Sequence, residues 1–283
     1  MLDDRIRSGQ FAGYLCDWNF LRDRLLLHNR DFLDALDETS FQREVLERQA
    51  GEEIAGILVI VLPLVGNWKF RRLQRDIAAG NPVARGRMYG KTATMQWSML
   101  TLTVGHWFWR DRSAADLGLL IESGWRFWTG FAVCCVFSTL FVMQAKIIRG
   151  NVGAQRHVRK TTRNLAAIAP GDQRELRLFY GLSVTAGVCE EILYRGYMIW
   201  YIQQTLPLWL SLIVAAVFFG FGHAYQGMGG IAKTFAVGLV TGGLYVLMRT
   251  VWGVVLLHAV VDMTSGFVLH CVNQLDQIGR AHV

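Results

Sequence analysis

"TAGVCEEILYRGYMIW", residues 185–200, sets two adjacent carboxylates and an arginine inside an apolar, aromatic-rich run. Charges among such neighbours are costly unless paired, so they mark either a scaffold knot or a functional site. On a helix Glu191 and Arg195 stand four residues apart, share a face and pair. Glu190 points about 100° away from Glu191 around the same helix. One carboxylate is therefore neutralised locally, and the other is left for general acid or base chemistry. The alternative is a single ion-pair knot holding helices together.

The rest of the chain has the same apolar character. Of its 283 residues 52% are hydrophobic and ten are tryptophan, and the mean hydropathy is positive. Runs close to bilayer-crossing length recur from residue 54 onward: 54–68, 92–109, 127–145, 178–203, 208–223, 231–248 and 251–272. The pattern predicts an all-α, polytopic membrane bundle of about seven transmembrane helices. The first run, Ile54 to Trp68, is short and contains Pro63; if it is re-entrant, the number falls to six. Residues 1–50 are polar, with helical spacing in "FLDALDETSFQREVLERQ", and predict an extramembrane or interfacial helix pair. Residues 51–283 form the membrane domain.

A net charge of +7 matters less than where it falls. Lys69, Arg71, Arg72, Arg75, Arg85, Arg87 and Lys91 crowd one loop region, and Lys146, Arg149, Arg156, Arg159, Lys160, Arg163 and Arg174 another. Basic segments between apolar spans stay on the cytoplasmic side. This topological reading is preferred to nucleic-acid binding, and the expected surroundings are a lipid bilayer, that of a bacterial inner membrane. Five cysteines, odd in number and without metal-ligand spacing, imply no disulfide framework. The N-terminus carries no signal-peptide pattern.

Two further polar intrusions follow the first. His223 ends the apolar run "FFGFGHAYQG", with Phe219 one turn earlier. His258 and Asp262, in "VVLLHAVVDM", are again four apart on one helical face, where the carboxylate can fix the tautomer of the ring. Each alone reads as a satisfied buried residue. Three costly intrusions on three separate spans are best explained by mutual contact. Glu190, His223 and His258 are therefore expected on one wet cavity. The glycines flanking His223 lack a phosphate-loop context. "GLVTGG", residues 238–243, reads as close helix packing. His106 and His270 sit at span ends and are not assigned chemistry. Ser183 and Ser265 have no general base beside them, which disfavours a serine mechanism.

In this order, "EEILYR" (Glu190, Glu191, Arg195), "FGFGH" (Phe219 to His223) and "HAVVD" (His258 to Asp262) resemble the three motifs of the CPBP family. These are the CAAX prenyl endopeptidases and bacteriocin-processing or immunity proteins, also called Abi. The resemblance covers about residues 175–270, and "DLGL" at Asp116–Leu119 is similar to the family's upstream segment. It implies an all-helical intramembrane glutamic endopeptidase acting on a peptide or membrane-protein substrate. By the same resemblance Glu190 and His223 activate water, His258 and Asp262 face the carbonyl oxygen, and Glu191, Arg195 and Phe219 support the site. Asp262 departs from the asparagine of the prenyl-protease branch. An ionised aspartate repels an oxyanion, so Asp262 is expected instead to orient His258.

No cofactor is expected. Zinc is the minority hypothesis, since two glutamates and two histidines are suitable ligands, but Arg195 competes for a carboxylate. Outside catalysis, the same pattern could belong to an immunity or partner-binding protein of the same fold, or to a small transporter. A transporter would spread its polar residues along a path or between repeated halves; here they cluster in three late motifs.

Overall fold

A backbone in lipid finds no water to bond, so its spans must satisfy their own N–H and C=O groups as helix. The computed structural model describes residues 53–81 and 83–281, and among these the regular structure is entirely helical. The helix pair read over residues 1–50 lies outside the described residues. The elements are α1 (Leu62–Ala78), α2 (Ala84–Trp109), α3 (Trp125–Gly150), α4 (Val152–Thr161), α5 (Gln173–Glu191), α6 (Ile199–Gln203), α7 (Leu208–Gly222), α8 (Met228–Met248) and α9 (Trp252–Ala281). A π-helical turn, Ile57–Val61, leads into α1, and a π-helical segment, Ile192–Met198, joins α5 to α6.

Among the described residues four helices are long and apolar enough to cross a membrane: Glu53–Ala78, Trp125–Gly150, Met228–Met248 and Trp252–Leu275. The equally apolar α7 is shorter, at 15 residues. Length is not what sets α2 and the α5–α6 rod apart: α2 carries Gln96 and His106, and α5–α6 carries Glu190, Glu191 and Arg195. The first run does not turn back. Glu53–Ala78 is one helix of 26 residues, with Pro63 at the start of α1. A proline lacks an N–H and crowds the carbonyl one turn before it. The wider π turn at Ile57–Val61 falls at that place and lets the helix continue.

Both basic clusters lie at one end of this bundle. Arg85 Nε donates to the Ala167 carbonyl at 3.0 Å, and Tyr89 donates to that of Ile168 at 2.6 Å. The same end takes in the later part of α9, where Asn273 donates to the Ala169 carbonyl at 3.2 Å.

At the other end the connection between α2 and α3 dips inward. Gly118 has a φ of +71, a conformation that favours glycine. Its carbonyl accepts from Val251 N at 2.9 Å and Thr250 Oγ1 at 3.0 Å. Leu117 is fully buried, and its carbonyl lies so near Gly196 that a Cβ there would be 2.6 Å from the oxygen. Because the buried residues Thr250 and Val251 that lead into α9 are bonded to this inserted loop, α9 begins level with Gly196. His258, in its second turn, is thereby carried to the depth of the paired glutamates.

Small residues bring the motif helices together. α5 and α9 run antiparallel, with Gly187 against the Val255 carbonyl and the Ala259 Cβ. Gly238 on α8 packs on Ala216 of α7, which is the close packing expected of "GLVTGG".

Candidate active site

The Glu191–Arg195 pair forms as the spacing requires, with Arg195 Nη1 3.0 Å from Glu191 Oε1. Both side chains are sealed, at 0% and 2% exposure. Arg195 also donates to Thr241 Oγ1 on α8, and its guanidinium lies 4.2 Å from the centroid of the Phe219 ring. The Phe219 side chain thereby meets the cluster through its aromatic face.

Glu191 holds a second partner. His258 Nδ1 donates to the same Oε1 at 2.6 Å, so one carboxylate oxygen joins an arginine from its own rod to a histidine from α9. The expected partner of His258, Asp262, is thus more distant than Glu191. Asp262 Oδ2 lies 3.6 Å from Nε2, the opposite nitrogen, beyond hydrogen-bond distance. One helical turn along α9 places the aspartate beside the ring, but the Gly187 contact brings Glu191 closer.

Glu190 points away from this knot, as the helical period demands. Its Oε2 lies 3.9 Å from His223 Nε2 and 4.0 Å from His258 Nε2. Such distances exceed a direct hydrogen bond and suit a shared water at the apex of the triangle. His223 is held by its other nitrogen, 2.9 Å from the Phe219 carbonyl. A carbonyl only accepts, so Nδ1 carries a proton, and in the neutral ring Nε2 turns a lone pair to the site. Burial divides the set: Glu190, His223, His258 and Asp262 retain 19%, 18%, 10% and 38% side-chain exposure, whereas Glu191 and Arg195 are closed off. Glu190 Oε2 itself is buried and without a hydrogen-bond partner, so the partial exposure of Glu190 lies elsewhere on its side chain.

The sequence reading missed Gln96, whose Nε2 donates to Glu190 Oε1 at 2.7 Å, and Thr241 beneath Arg195. The available signals were an amide inside the apolar run 92–109 and a hydroxyl inside "GLVTGG". Two histidines are assigned no chemistry. His270 is buried with Nδ1 3.0 Å from the Pro170 carbonyl, and His106 packs at 5.9 Å on Trp109. Among the described residues, no group of three or more His, Cys, Asp or Glu side chains is arranged to hold a metal ion.

The fold and the buried glutamate–histidine cluster define a class, a multi-pass helical membrane protein with polar chemistry inside the bundle. Residues 172–264 match the family described as type II CAAX prenyl endopeptidase Rce1-like. The matched segment takes in all three motifs, and the resemblance to the CPBP proteases is borne out over it. At the level of the family, this match supports a CAAX-protease-like membrane endopeptidase. No curated protein and no solved structure matches the chain.

Proposed function

We propose that this protein is an intramembrane glutamic endopeptidase of a bacterial inner membrane, cleaving a peptide or membrane-protein substrate without a metal. The observation that carries the proposal is the meeting of Glu190 Oε2 with two imidazole Nε2 atoms at 3.9 and 4.0 Å, while Glu191 is engaged elsewhere. In the reaction Glu190, assisted by the His223 lone pair, takes a proton from water as the water oxygen bonds to the scissile carbonyl carbon. His258, protonated on both nitrogens, donates through Nδ1 to Glu191 and through Nε2 to the developing oxyanion. Glu190 then passes its proton to the leaving nitrogen, the C–N bond breaks, and a carboxylic acid and an amine are released.

A metal is not needed for these steps, and Glu191 is already committed to Arg195 and to His258. The second reading, a non-catalytic partner-binding protein, is favoured by Asp262, whose carboxylate lies 3.6 Å from the nitrogen that would meet an oxyanion. One experiment separates them. Purified full-length protein in vesicles is given a library of C-terminal peptides, prenylated and unprenylated, and products are read by mass spectrometry. The enzyme reading expects cleavage that disappears in Glu190→Gln; an uncleaved library, or cleavage that persists in that variant, overturns it.

A further inference from the structure

Gln96 belongs to none of the three motifs and lies outside residues 172–264, yet it makes the closest polar contact to Glu190 among the described residues, at 2.7 Å. It sits on a rigid element. α2 runs parallel to α5, both starting at the basic end of the bundle. Near that end the two are joined by Arg85 to Glu175 at 3.6 Å and by Tyr89 edge-on to Phe179 at 5.4 Å. Near the other end Trp107 packs edge-on against Trp200 at 4.7 Å and Tyr197 at 6.3 Å. Gln96 falls between these anchors, and its neighbour Trp97 donates to Thr185 Oγ1 at 3.3 Å. Helices pinned at two levels leave an intervening side chain little freedom, which is the condition for holding a reacting group in register.

The chemistry of an amide suits the place. An ionised carboxylate only accepts, so the amide NH2 is the end that faces Glu190. That bond occupies Oε1 and leaves Oε2 toward His223 and His258. Lysine or arginine at this position would bind the carboxylate as an ion pair and weaken it as a base. An apolar residue would let the carboxylate rotate and interchange its oxygens. Gln96 supplies direction without charge.

We infer that Gln96 is a positioning residue for Glu190, fixing which carboxylate oxygen serves as the base; the inference rests on the reading of Glu190 given above. The test is Gln96→Met, which keeps the length of the side chain and removes the donor. It is assayed in vesicles with the peptide that the wild-type protein cleaves best, beside Glu190→Gln. The expected result is a kcat lower by about 10- to 100-fold with KM unchanged, the size typical of lost supporting contacts. A purely structural role would instead lower the thermal midpoint and the folded fraction, with kcat per folded molecule preserved. Should Gln96→Met fold poorly, Gln96→Asn, too short to reach Glu190, is read in the same way. A kcat within about twofold of wild type, or a change confined to KM, overturns this inference alone. An inactive wild type, or an active Glu190→Gln, overturns the reading of Glu190 and this inference together.

Discussion

Replacing Glu191 by alanine tests the division of labour between the adjacent carboxylates. Glu191 is the anion shared by Arg195 at 3.0 Å and His258 at 2.6 Å. Its loss leaves Arg195, only 2% exposed, with a threonine hydroxyl and an aromatic face but no counter-charge. Breaking a buried pair by removing one partner costs about 3–5 kcal/mol, because the surviving charge stays buried and uncompensated. For a unit of this size each kcal/mol moves the thermal midpoint by about 2–4 °C, so Glu191→Ala should melt roughly 6–20 °C below wild type. Glu190→Gln should move it by little, since Glu190 is partly exposed and its Oε2 has no hydrogen-bond partner. Glu191→Ala with Arg195→Met should recover part of the lost stability yet stay inactive, because His258 still lacks its Nδ1 acceptor. The assay is thermal unfolding in detergent, followed by tryptophan fluorescence and in parallel with cleavage. Equal midpoints for Glu190→Gln and Glu191→Ala would refute the assignment of one carboxylate to chemistry and the other to structure.

Three further outcomes are expected. Reporter fusions within residues 70–90 and 150–170 should both report the cytoplasm, because the two basic segments meet at one end of the bundle; a fusion reporting the opposite side would break that order. Cleavage should survive chelation, and activity that vanishes with a chelator and returns with zinc would establish a zinc enzyme instead. Gly196→Ala should destabilise by about 1–3 kcal/mol, the range for overpacking. Its Cβ would meet the Leu117 carbonyl at 2.6 Å and push the inserted loop outward; an unchanged thermal midpoint would show that the loop is not wedged there.

Much of the site is legible in the chain because helical geometry is local. Apolar runs of crossing length oblige the backbone to form helices, and the 3.6-residue period alone puts Glu191 with Arg195 and turns Glu190 aside. The cost of placing ionisable groups among apolar neighbours then makes Glu190, His223 and His258 candidates for one site from sequence alone. Relations between helices are of another kind. That Glu191 rather than Asp262 holds His258 depends on how closely Gly187 lets α9 approach α5. His258 reaches the depth of the glutamates because the residues leading into α9 are bonded to a buried loop, which no periodicity records. Gln96 meets Glu190 across 94 residues of chain, through two parallel helices pinned by arginine, tyrosine and tryptophan contacts. Sequence spacing sets angles around one helix axis, whereas packing of small against large side chains sets the distances between axes, and it is those distances that choose the partner of each polar nitrogen and oxygen in the cluster.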